Sequence, residues 1–171
     1  MRALANGEHA DLHGIQVGVG TLLTMKIYEK LKTITPDRQK ALDYVAKFDV
    51  AAWEENVKRV FGATAGSVLA IEEKTHKNDP AKHAVRLEKT LAKWDEIMKI
   101  VEEELPDYQW LEDTMRQTGM PLFPKDLGLD AKQVSDAFVC ARDIRDKFLS
   151  CSMIWDLGLM DEFAEWLESF N

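Results

Sequence analysis

From Ala84 the apolar residues run Ala84, Leu87, Leu91, Trp94, Met98, Val101 and Leu105, separated alternately by three and four positions. That spacing keeps a continuous stripe on one side of an α-helix and on no other regular structure, because a strand repeats every second residue. Asp79-Pro80 supplies the start, a capping side chain followed by a proline suited to the first helical position, and Pro106 supplies the stop. The spacing therefore predicts one long helix up to Leu105, with Asp95 and Lys99 paired four apart on its outer face.

Helical spacing recurs throughout. Leu12 to Leu31 is dense in apolar residues: Ile15, Val19, Leu22 and Leu23 share a face, while Val17 and Met25 lie elsewhere on the surface, the mark of a buried helix. Thr35 is read as a cap and Pro36 as a first helical residue, before Ala41, Leu42 and Val45. A helix over Val50 to Phe61 turns Trp53, Val57, Val60 and Phe61 inward and breaks at Gly62; another follows from Ala63 to Lys74. Asp107 opens a shorter helix through Trp110, Leu111 and Met115. Two prolines and a glycine make Gly119-Met120-Pro121-Leu122-Phe123-Pro124 a loop. Asp130-Ala131-Lys132-Gln133 reads as a capping box for a helix presenting Val134, Ala137, Phe138, Ala141, Ile144 and Phe148. Short helices follow, parted by Leu157-Gly158-Leu159 and recapped by Asp161. With no linker, low-complexity tract or repeat, residues 1–171 are expected to form a single all-α domain of about eight helices.

Composition narrows the partners. A net charge of −8 over 171 residues repels phosphate backbones and argues against nucleic acid. No run approaches the ~20 apolar residues that cross a bilayer, and the first residues show no apolar leader core. Cys140 and Cys151 fit neither a disulfide framework nor a zinc motif, so the expected setting is a reducing cytoplasm.

The segment His13-Gly14-Ile15-Gln16-Val17-Gly18-Val19-Gly20 stands out chemically. Gly14 and Gly18, four apart, leave one side of the helix bare, a groove that another backbone or a substrate can approach. His13 at the edge of that groove can bind a metal through one ring nitrogen while a neighbour fixes the other. From the residues alone the more ordinary reading is that His13 caps or packs the helix, the glycines serving tight helix contact. His9 precedes the expected cap Asp11, which makes its spacing from His13 coincidental, and His76 and His83 flank a polar turn and are expected in solvent. The glycine run is not a dinucleotide fingerprint, because no strand precedes it, and Gly62 to Ser67 lacks the lysine of a phosphate loop. Arg142 and Arg145, next to Asp143 and Asp146, are read as a surface charge lattice, and the tryptophans as packing. No catalytic nucleophile or acid–base dyad is evident.

His13 to Leu22 resembles the third metal-ligand segment of iron-containing alcohol dehydrogenase-type enzymes, which have the dehydroquinate synthase-like fold. The branch it is most similar to is the bacterial sn-glycerol-1-phosphate dehydrogenases, relatives of glycerol dehydrogenase. Gly119-Met120-Pro121 through Pro124, Leu127-Gly128-Leu129, Ala141 to Phe148 and Leu157-Gly158-Leu159 extend the likeness in order along nearly the whole chain.

The resemblance implies the C-terminal helical half of a two-domain, NAD(P)-dependent oxidoreductase acting on a small polyol or polyol phosphate. His13 matches a ligand to a divalent metal, which is zinc-like, nickel or iron in such enzymes and polarises a carbonyl or alkoxide oxygen during hydride transfer. The family's nucleotide-binding domain, and its aspartate and second histidine ligands, precede the matching segment. One imidazole falls short of the about three protein ligands of a catalytic site, so neither metal nor NAD(P) is expected to bind this chain tightly without a separately supplied nucleotide-binding domain. The contrasting expectation is a non-catalytic helical interaction module, binding another protein or self-associating as a homo-oligomer through apolar surface.

Overall fold

The computed structural model describes residues 12–169, and among them it contains α-helices, two 3₁₀ turns and no strand. The all-α class read from periodicity holds. The helices are α1 (His13–Leu31), α2 (Arg38–Ala46), α3 (Val50–Phe61), α4 (Ala65–Thr75), α5 (Pro80–Ala92), α6 (Trp94–Glu104), α7 (Tyr108–Gln117), α8 (Ala131–Ala141), α9 (Ser150–Asp156) and α10 (Met160–Glu168). The 3₁₀ turns are Gly62–Thr64 and Pro124–Leu127. The expected long helix is two: Lys93, at φ −115° and ψ 8°, leaves helical geometry and separates α5 from α6. No proline or glycine announces that break. It falls where the chain passes between two compact units, one of residues 12–35 with Asp95–Ala131, the other of Pro36–Trp94 with Lys132–Ser169.

In the first unit α1 packs on α7. Leu22 and Met25 of α1, Tyr108 of α7 and Leu122 of the following loop form its buried cluster, with Leu105, Leu111, Met115 and Met120 packed against it. Lys26 stacks its ammonium 3.8 Å above the Tyr108 ring, a contact favoured because an aromatic face is electronegative. The loop after α7 is organised by Asp126, whose Oδ2 accepts the backbone N–H groups of Leu122 (3.1 Å) and Phe123 (2.9 Å). Those bonds hold its carboxyl below the usual carboxylate range.

In the second unit α2 packs on α5, α3 on α4, and α9 on both α5 and α10. Val57, Phe61, Ala65, Val68 and Cys140 form one buried cluster. Burial pushes the Cys140 thiol up to about 12 and the Cys151 thiol up to about 11, since a thiolate loses its hydration in apolar surroundings. Asp79 caps α5 as its sequence predicts, accepting from Ala81 N and Lys82 N. The start of α2 differs: Asp37, not Thr35, is the cap, accepting from Lys40 N at 3.0 Å. Asp161 does not cap α10; it lies in the first turn, after the N-cap Leu159, and accepts from the Tyr44 hydroxyl at 3.1 Å.

Gly158, between α9 and α10, has φ +69° and approaches α2 so closely that an added Cβ would lie 3.0 Å from Ala41 Cα and 3.0 Å from Tyr44 Cβ. Backbone hand and space both demand glycine there. The helix expected to run to Phe148 stops at Ala141. Lys77 explains the irregular stretch that follows, because its ammonium donates to the carbonyl oxygens of Arg142 (2.8 Å) and Arg145, groups a continuing helix would use internally. Ile144 and Phe148, expected on the inner face, are exposed.

Candidate functional site

His13 occupies the first position of α1, and its side chain is exposed. Gly14 beside it has nothing within 4 Å of where a Cβ would stand. Four residues on, the groove is filled. Met120 Cε occupies the space a Cβ on Gly18 would need, and Met115 Cε stands 3.1 Å from it. Gly18 is therefore a close-packing glycine that links the His13 segment to the Gly119-Met120-Pro121 loop, whereas Gly14 leaves backbone open next to the imidazole. The expected cap Asp11, and His9, lie outside the described residues.

Among the described residues no group of three or more His, Cys, Asp or Glu side chains is placed to hold a metal ion. The donor set of the described residues thus does not fit a divalent ion by itself: it offers one imidazole where a catalytic centre takes about three protein ligands.

The second unit holds a polar cluster that sequence reasoning places on the surface. Arg142 and Asp143 are buried, the arginine 3% exposed. Arg142 Nε donates to Asp143 Oδ1 at 2.9 Å, and Asp143 Oδ2 accepts from Trp53 Nε1 at 2.9 Å. Arg142 Nη2 donates to Asn78 Oδ1, and the guanidinium carbon lies 4.3 Å from the Trp155 ring centre. Trp155 is packed edge-on by Tyr44, Phe48 and His83. His83, expected in solvent, is 1% exposed, and its Nε2–H donates to the Asp156 carbonyl at 2.8 Å. The Asp156 carboxylate, equally buried, is gripped by Arg86 through two bonds of 2.8 Å. His76, Arg145 and Asp146 are exposed, as their polar neighbours suggest. Not every tryptophan packs: Trp110 is 60% exposed.

Two cavities open in this unit, of about 610 and 960 Å³, and Arg142 and Trp155 belong to the walls of both. The larger is acidic, with Asp37, Asp43, Asp49, Asp143 and Asp161 against three cations. The smaller has the opposite balance. It gathers Lys77, Lys82, Arg86, Arg142 and Lys147 against two carboxylates, on a chain that is acidic as a whole. Burial holds the Lys77 amine below the ordinary lysine range.

The one signal for this cluster in the sequence is the alternation Arg142-Asp143, Arg145-Asp146, which is the same for a solvated lattice and a buried network. No described helix is long and apolar enough to cross a membrane. No family model matches the chain, and neither a curated protein nor a solved structure matches it.

Proposed function

We propose that the chain is the C-terminal, metal- and substrate-binding helical part of a glycerol-1-phosphate dehydrogenase-like, NAD(P)-dependent oxidoreductase, inactive alone. The observation that carries this reading is the exposed His13 on the first turn of α1, with the bare backbone of Gly14 beside it. A ring nitrogen there is open to a metal, and the missing side chain leaves room for a substrate or a second backbone. The all-helical architecture agrees with the reading. When bound, the metal would polarise the substrate oxygen. The described residues contribute one ligand to it, and the remaining ligands and the nucleotide site come from polypeptide outside them.

The test is reconstitution. The purified chain should reduce no dihydroxyacetone phosphate with NADH or NADPH. Co-expression with an α/β nucleotide-binding domain that carries the aspartate and second histidine should give turnover, and His13→Ala should abolish it. Turnover by the chain alone, or a reconstituted enzyme indifferent to His13→Ala, would refute the proposal.

A second reading, a non-catalytic interaction module, draws support from the exposure of Trp110, Leu12, Val17 and Ile100 in the first unit. Self-association seen by sedimentation velocity and abolished by Trp110→Glu, with no reconstituted turnover, would favour it.

A further inference from the structure

Among the described residues three buried side-chain polar atoms have no hydrogen-bond partner: Arg142 Nη1, Trp155 Nε1 and Asn78 Nδ2. All three are N–H donors, and they belong to one cluster, since Arg142 stacks on Trp155 and bonds Asn78 through its other amino group. A buried donor without an acceptor is destabilising, and a guanidinium, an indole and an amide donor unpaired in one cluster ask for acceptor oxygens; of the three residues, Arg142 and Trp155 line the cavities. Charge decides from which side those oxygens come. The larger cavity, rich in aspartate, repels an anion. The smaller, with its lysines and arginines in excess, attracts one. Its volume of about 610 Å³ lies within the range of small-molecule sites. Its mouth also carries Val85 and Phe148, large apolar side chains more than half exposed.

We propose that this cavity binds a small organic oxyanion, a carboxylate or phosphate head on an apolar body. The head meets the Arg142–Trp155 wall, Lys82 and Lys147 guide it electrostatically, and the body lies on Val85 and Phe148. Arg86 is already committed to Asp156 and serves as wall, not as a ligand. The inference is independent of the dehydrogenase reading, which concerns His13 in the other unit.

The chain's five tryptophans give five indole N–H resonances, and the one missing from Trp155→Phe identifies Trp155. Titration with benzoate or phenyl phosphate should move that resonance downfield and saturate, as the unpaired indole gains an acceptor. The two probes separate a carboxylate from a phosphate preference. Benzyl alcohol, of the same shape without charge, should leave it in place. Glycerol 1-phosphate, with the head but no apolar body, should bind at least fivefold more weakly than phenyl phosphate, roughly the worth of the lost apolar contact.

Lys82→Ala with Lys147→Ala, both at exposed positions, should weaken binding roughly fivefold, the effect of removing partly screened charges. Arg142→Gln should abolish it, and if that variant does not fold, the lysine double variant decides. A Trp155 resonance unmoved by both anions, equal binding of benzyl alcohol, or affinity untouched in the lysine double variant would each overturn the site. Equal binding of glycerol 1-phosphate would overturn the apolar half of the proposal.

Discussion

Replacing Gly158 by alanine tests the packing of the second unit at its tightest point. Two costs add. Alanine held at φ +69° pays about 1–2 kcal/mol for a left-handed conformation. Its Cβ would also stand 3.0 Å from Ala41 Cα and 3.2 Å from Lys40 O, backbone atoms that cannot swing aside as a side-chain tip can. Forcing a methyl group into such a contact costs a further ~1–3 kcal/mol. The expected loss is about 3 kcal/mol, or roughly 6–12 °C in melting temperature for a chain of this size. Gly119→Ala separates the two terms, because Gly119 has φ +71° and nothing within 4 Å of its added Cβ. It should lose only the conformational ~1–2 kcal/mol. Urea unfolding followed by circular dichroism measures both. If the two variants are equally destabilised, to within about 0.5 kcal/mol, the close approach of Gly158 to α2 is not a feature of the folded protein.

Arg86→Ala strands the buried Asp156 carboxylate and should cost about 3–5 kcal/mol in urea unfolding, whereas Arg38→Ala, whose partner Glu88 is as exposed as Arg38 itself, should change stability by less than about 1 kcal/mol. At alkaline pH the buried thiols act against the fold. An unfolded thiol titrates near 9.0 while Cys140 and Cys151 in the folded chain titrate at about 12 and about 11. Their contribution is therefore full below pH 9.0 and lost as pH rises toward those folded values; the unfolding midpoint should drop through this window, and less so in the Cys140→Ala, Cys151→Ala double variant. At the acid end, Arg59 bonds both oxygens of Asp136 and holds its carboxyl below the ordinary range. That stabilisation is present above the unfolded carboxylate pKa and disappears as pH falls through the depressed folded value, so Asp136→Asn should flatten the acid limb of the stability profile.

Periodicity carried the helices well, because the apolar stripe that buries a helix is the same stripe that the sequence displays. Caps were readable where Asp stood directly before a proline or the first turn, as at Asp79 and Asp107. At Thr35-Pro36 two capping residues competed, and the carboxylate of Asp37 won over the hydroxyl. The ends of α5 and α8 were not legible, since neither carries a local stop signal. Lys77 takes the carbonyl groups that would have continued α8, and no residue near Lys93 marks where the chain leaves one unit for the other. At the candidate sites the sequence singled out His13 and Gly14 but could not show that methionine fills the place beside Gly18. Arg142, Asp143 and His83 were hidden by their own polarity. A charged residue reads as surface until its partners, here Trp53, Asn78 and Asp156, are seen to surround it.

The interleaving of the two units along the chain sets how this polypeptide is put together in time. Each unit is assembled from two stretches of chain, with a stretch of the other unit intervening, so α1 emerges from the ribosome well before α7, the helix that covers it. Until then Leu22 and Met25 are without their native neighbours, and closing the intervening loop slows their burial without changing its final worth. Neither unit can be expressed as one uninterrupted fragment, while a protease cut at Lys93 would separate the polypeptide into two pieces that each carry part of both hydrophobic clusters.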